Sequence, residues 1–276
     1  MYYFVQKLMA FSLAAVVSVS VAHAQSLTFA VVPQQSAHKL AETWPPLLAE
    51  ISRSIGTPIQ FITAKDIPTF ERRLALGHYD IAYMNPYHYV VFSHQSGYRA
   101  LAKQKNKLIE GIVVVHKDSH IDTLAALNNR MLAFPAPASF AATIIVQAKL
   151  KHEGIAIRPR YVSSHDSVYL NVARQFMPAG GGVARTLNAA PDGVKNSLKV
   201  LWRSPPYTSH AIATHPAISN PTRKRLLEAM LAISENPEQR QLLSQIHFSG
   251  FEAADDAEWD DIRALDIQHA TGEFVE

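Results

Sequence analysis

SLTFAVVPQ, residues 26–34, follows directly on a stretch that reads as an export leader, and this junction marks where the fold begins. Its centre, 27–32, is short and apolar with a turn-forming proline after it, as expected of a buried strand. Before it stand Lys7, an apolar stretch from Leu8 to Ala22, and Ala22, His23 and Ala24 as a small-residue cleavage site. An apolar run of about 15 residues is short for a bilayer span, so cleavage after Ala24 is expected rather than permanent anchoring. The leader is 1–24, and the exported remainder is expected to be soluble.

On from that strand, β-rich runs alternate with helical patterns along the chain, which implies an α/β architecture. A helical pattern over 37–55 is interrupted by Pro45 and Pro46, with a restart capped near Thr43, and ends at Gly56; a strand over 58–63 follows. Next come a helix over 67–76 stopped by Gly77, a strand over 80–84, and a helix over 87–95 with Pro86 in its first turn. The continuously apolar 111–115 reads as a strand covered on both faces. Beyond it lie a short helix over 123–127, a strand over 131–134, a helix over 139–152, a strand over 160–162 and a helix over 166–175 leading to the glycines 180–182. Strands over 198–202 and 210–213 precede a tail that reads as helices only: 222–233 capped by Asn220, 238–246 capped by Asn236, and 256–265. The pattern suggests two βα lobes. Residues 25–105 and 208–276 would form the first and 106–207 the second, with crossings near 100–110 and 204–210.

Composition narrows the function. Of the formal charge of +3, Lys7 of the leader supplies one, and no long basic run occurs, so a nucleic-acid or membrane-surface partner gains little support. Lys103, Lys105 and Lys107 form the densest basic cluster and read as a solvated turn; Asp255, Asp256, Asp260 and Asp261 read as a solvated acidic face. The chain has no cysteine, which excludes thiolate metal sites, cysteine nucleophiles, disulfides and a lipidated cysteine anchor.

In open α/β sheets, ligands collect at the carboxyl ends of strands, and helix N-termini there favour anions through unpaired N–H groups. Four segments fit this rule: Pro33 to Ser36, Tyr83 to Tyr87, Pro135 to Ser139, and Ser163 to Asp166 with His165 among them. Together they offer hydroxyls, amides and an imidazole to a small anion. Taken singly, Ser139 and Ser164 also suit ordinary helix caps, and Tyr83, Tyr87 and Tyr89 also suit the core. Enzyme signals are weaker. GxSxG is absent, the glycines 180–182 lack a following Gly-Lys-Ser/Thr, and the His152–Glu153 start of HExxH fails at Ala156. His116 and His120 flank a turn rather than share a helix face.

With those residues in view, the chain resembles the periplasmic binding proteins of phosphate/phosphite/phosphonate ABC transporters, of the two-lobed type II class. The resemblance rests on FAVVPQ with WPPLL, FERRLALGHYDIAYMNPYHYV, EGIVVVHKDSHIDTLAAL, FPAPAS, SSHDSVYLNVA, LWRSPPY, and NPEQRQLL with GF, in that order over most of the exported chain. It implies two lobes, each a mixed sheet flanked by helices, joined by a hinge of two crossover segments. It implies a non-catalytic, monomeric periplasmic receptor without a cofactor, handing a small oxyanion to an ABC permease, or reporting it to a membrane sensor kinase or cyclase. By position, Ser139, Phe140 and the N–H groups that follow would hold the oxyanion and His165 would add a side-chain contact. Tyr83, Asn85 and Tyr87 would line the first-lobe side, with Gln35 and Ser36 from the first loop and Tyr207 near the hinge. The chain departs from the family pattern at Phe140, Ala141 and Ala142, where relatives carry a hydroxyl-rich run ending in glycine, and at Pro178, where they carry an acidic residue. Both changes remove polar partners for a phosphonate.

Overall fold

The structure, a computed structural model, describes residues 26–265. The leader and its cleavage site lie outside the described residues. The strand opening at residue 27 becomes β1, Leu27–Val31, and its apolar run pairs in parallel with β2, Ile59–Ile62, and β3, Ile81–Met84. β4, Arg99–Gln104, β12, Ala211–Thr214, and β13, Phe251–Ala253, complete a six-stranded mixed sheet in the order β13-β4-β12-β3-β1-β2. A second sheet is built from β6, Gly111–His116, β7, Met131–Phe134, β8, Arg158–Tyr161, β9, Ala179–Val183, and β10, Leu198–Arg203, in the order β10-β6-β9-β7-β8. Between the two sheets, β5, Leu108–Ile109, pairs antiparallel with β11, Tyr207–Thr208. Both chain crossings therefore run side by side as one small ladder, and the result is the two-lobed α/β architecture expected from the sequence.

The sheets repeat one plan. Each has three parallel strands, β2-β1-β3 or β8-β7-β9, followed by an antiparallel strand, β12 or β6, that enters from the other side. This brings the carboxyl ends of β1, β3, β7, β8 and β9 to the junction of the lobes.

Several elements depart from the sequence reading. The glycines 180–182, which the sequence pattern assigns to no element, are the middle of β9, because large groups need the space on both its faces. A Cβ on Gly181 would lie 2.0 Å from the Ala142 carbonyl oxygen, and one on Gly182 2.5 Å from the Tyr169 hydroxyl. The C-terminal tail is not only helical, since β13 adds an edge to the first sheet. Ser219, not Asn220, caps helix Asn220–Glu235. Asn236 ends that helix rather than starting the next, because Pro237 forces it to an extended ψ of 114°, and the following helix begins only at Arg240. The proline break falls at Trp44, between helices Ala37–Thr43 and Pro45–Ile55. The stretch after Ser139 opens as a π-helical turn, Phe140–Ile145, before the α-helix Val146–His152.

The largest core is not confined to one lobe. It joins Phe29, Trp44, Leu47 and Phe70 of the first lobe to Ala138, Phe140, Ala141 and Ile145 of the second. Phe140 is 1% exposed and meets Tyr207 of the hinge ladder edge to face at 5.5 Å. Burying a phenylalanine is worth roughly 1.5–3 kcal/mol, so this one side chain contributes to closure as much as one or two hydrogen bonds.

Candidate functional site

The loops after β1 and β3 meet those after β7, β8 and β9. From the first lobe, Asn85 caps helix Pro86–Gln95: its Oδ1 accepts from the His88 N–H at 2.8 Å. That fixes the amide so that Nδ2 donates across the junction to the Ala138 carbonyl at 3.1 Å. His88 is itself held by Glu71, with Nε2 2.7 Å from Oε1 and both side chains buried. A carboxylate only accepts, so the proton shared with Glu71 sits on His88 Nε2 and the buried Nδ1 has no partner among the described residues.

The loop after β1 turns Gln34, rather than Gln35, into the junction. Gln34 is buried, its carbonyl accepts from the His165 N–H at 3.1 Å, and its side chain reaches two groups. Oε1 takes a hydrogen bond from Arg185 Nη2 at 2.5 Å, and Nε2 lies 2.7 Å from His210 Nε2. With the amide so oriented, His210 accepts at Nε2 and is uncharged. Gln35 is half-buried, and Ser36 is exposed, spending its N–H on Asp166 Oδ2 at 2.9 Å and its Oγ on the cap of helix Ala37–Thr43.

From the second lobe, Ser139 and His165 stand together, with Oγ 3.4 Å from the ring Nε2. Ser139 occupies a capping position without making a side-chain cap, whereas Ser164 caps helix His165–Ala173. The N–H groups of Phe140, Ala141 and Ala142 find no acceptor among the described residues, as at any helix start. The carbonyls of Ala141 and Ala142 rest on Gly111 and Gly181, whose missing side chains let the turn settle onto the sheet.

Electrostatically, the junction is neutral histidine around one guanidinium. His165 is wholly buried and its pKa falls to about 3, through desolvation first and the Arg185 charge second. His210 is driven well below the usual histidine range, again by burial and then by Arg185. Arg185 has no carboxylate within ion-pair distance among the described residues. His165 Nδ1 faces Thr186 Oγ1 at 3.3 Å, so moving the ring proton to Nε2 turns its Ser139 side from acceptor to donor.

Of the other expected residues, Tyr83 is buried with its ring stacked on His210 at 5.0 Å, and Tyr87 is buried in the first turn of its helix. Tyr207 is half-buried in the hinge ladder against Phe140. Gln34, within the Pro33 to Ser36 segment, and Arg185, Thr186 and His210, outside all four segments, complete the junction. Arg185 follows β9 as His165 follows β8, so the same strand-end rule would have reached it had the glycines been read as a strand.

The family described as the periplasmic substrate-binding protein of ABC phosphonate transporters matches residues 29–259. The chain belongs to this family. The binding-protein family is thus the one that the residue patterns resembled, and it is a family of solute-binding transport proteins. A curated relative, the phosphonates-binding periplasmic protein of Escherichia coli K12, is 23% identical over 92% of this chain and 80% of its own length. The phosphate-import protein PhnD of Mycolicibacterium smegmatis is 22% identical over 70% of this chain and 67% of its own. Among solved structures, PhnD1 of Prochlorococcus marinus in complex with methylphosphonate superposes with a TM-score of 0.80 at 15% identity, covering 87% of this chain and 96% of that one. The phosphonate-binding family therefore accounts for the fold of both lobes.

Proposed function

We propose that this protein is a periplasmic receptor that holds a small phosphonate-, phosphite- or phosphate-type oxyanion between its lobes and delivers it to an ABC permease. Lobes 25–105 with 208–276 and 106–207 close on the ligand about the β5–β11 ladder, after removal of the leader at Ala24; sheet membership supports that division. The observation that carries the reading is the unpaired donor set at the lobe junction. Three free N–H groups after Ser139, the Ser139 hydroxyl beside His165, and a guanidinium without a carboxylate favour a ligand rich in acceptors. Tyr83, Asn85, Tyr87 and Tyr207 shape the surrounding wall, Phe140 supplies an apolar lid, and Gln35 and Ser36 form the rim.

Each donor left unpaired by a wrong ligand costs about 1–3 kcal/mol, which is the source of selectivity. A thermal-shift titration tests the proposal. Phosphite or methylphosphonate raises the melting temperature of the mature protein, and Ser139→Ala with His165→Gln removes the rise. A flat response across the oxyanion panel refutes it.

A further inference from the structure

Where the first lobe, the hinge ladder and the start of helix Ala184–Asn188 meet lies a cavity of about 40 Å³ whose lining includes Tyr83, Gln104, Lys107, Arg185, Ser209 and His210. Its walls come from both lobes and the hinge. Ser209 is 5% exposed and its Oγ has no hydrogen-bond partner among the described residues, although its own carbonyl accepts from Trp259 Nε1 at 2.9 Å. Arg185 spends Nη2 on Gln34, and its Nε and Nη1 donate to nothing among the described residues. The one acid in the lining, Glu110, faces Arg203 at 3.5 Å. A buried hydroxyl with no partner and an uncompensated guanidinium on one small cavity are costly unless something fills it.

We propose that this cavity is a second anion subsite that takes the carboxylate of a carboxylate-bearing phosphonate. The inference rests on the oxyanion reading of the junction and extends it. A carboxylate only accepts, matches the planar donor fork of arginine, and is small enough for the space, whereas a second phosphonate is not. A chain of hydrogen bonds links the two subsites. Ser139 Oγ lies 3.4 Å from His165, whose N–H donates to Gln34 at 3.1 Å, and Gln34 in turn holds Arg185. With the phosphonate head at the amides after Ser139, the substituent carries the carboxylate to Arg185 and Lys107 in the cavity lining. An ammonium in that place meets two cations and no free carboxylate, so aminoalkyl phosphonates are rejected.

The test is a calorimetric comparison of methylphosphonate, phosphonoacetate and 2-aminoethylphosphonate on the mature protein and on Arg185→Gln and Ser209→Ala. Phosphonoacetate binds at least about tenfold tighter than methylphosphonate, 2-aminoethylphosphonate binds more weakly than either, and the tenfold preference collapses in Arg185→Gln. Ser209→Ala lowers the same ratio, which guards against an Arg185 variant that fails to fold. If methylphosphonate binds but phosphonoacetate shows no advantage, or the ratio is unchanged in both variants, the subsite is refuted while the oxyanion receptor stands. If no phosphonate binds the unmodified protein, both fall.

Discussion

Gln34 of the first lobe and Arg185 of the second are directly hydrogen-bonded, Oε1 to Nη2 at 2.5 Å. With His165 N–H to the Gln34 carbonyl, Asn85 to the Ala138 carbonyl and the Ser36 N–H to Asp166, this makes the lobe junction a latched surface. Hydrogen bonds to a charged group contribute about 1.5–3 kcal/mol, so Gln34→Ala shifts the lobes toward an open arrangement. Small-angle scattering of the ligand-free protein is the check. The variant shows a larger radius of gyration than the parent; identical scattering curves contradict the latch.

The Glu71–His88 pair lies beneath the Asn85 cap and is buried on both sides. Removing Glu71 leaves the buried His88 Nε2–H without its acceptor, at about 1–3 kcal/mol. Glu71→Ala is therefore expected to lose that much stability in urea unfolding, with Asn85 losing its support. A loss below about 1 kcal/mol, the value of an exposed pair, contradicts the buried role.

Gly181 tests the packing that positions the Ser139 turn. Its added methyl would fall 2.0 Å from the Ala142 carbonyl oxygen, where neither backbone can yield cheaply, whereas a Cβ on Gly193 has open space. Overpacking of this kind costs about 1–3 kcal/mol or more, so Gly181→Ala loses stability and weakens oxyanion binding, while Gly193→Ala does neither. Chemical denaturation of the two variants side by side gives the comparison. Equal stabilities refute the close approach.

Acid exposes the buried histidines. His165 has a folded pKa of about 3 against an ordinary value of 6.5, so between those values the unfolded chain binds the extra proton and stability falls as pH drops. At pH 5 His165 alone removes about 2 kcal/mol relative to pH 7. His210 acts in the same direction, and Asp166, whose pKa is raised by burial, gives a partial offset as pH falls further into the carboxylate range. Urea unfolding at pH 7 and pH 5 measures the sum. An unchanged stability over this interval contradicts two neutral buried imidazoles.

The lobe plan was legible where side chains carry a periodic or continuous apolar signal, as in β1, β3 and β6. It was illegible in β9, because glycine has no side chain to reveal which face is buried and is ordinarily depleted from strands. That omission hid Arg185. The two crossing strands and β13 are only two or three residues long and become strands through their partners, so local pattern could not show them. At the site, the strand-end rule placed Ser139 and His165 on neighbouring loops, and they stand 3.4 Å apart. The choice between Gln34 and Gln35 depends on the phase of an irregular loop, which adjacent identical residues cannot reveal. Phe140 is an apolar interface residue because the π-helical turn points it to Tyr207, a geometry with no sequence periodicity of its own.

The most direct test is a crystal structure of the mature protein grown with methylphosphonate. The phosphonate oxygens are expected between the lobes, within hydrogen-bond distance of the Phe140, Ala141 and Ala142 N–H groups and of Ser139 Oγ. A phosphonate bound elsewhere, or an empty junction at saturating ligand, would contradict the receptor assignment.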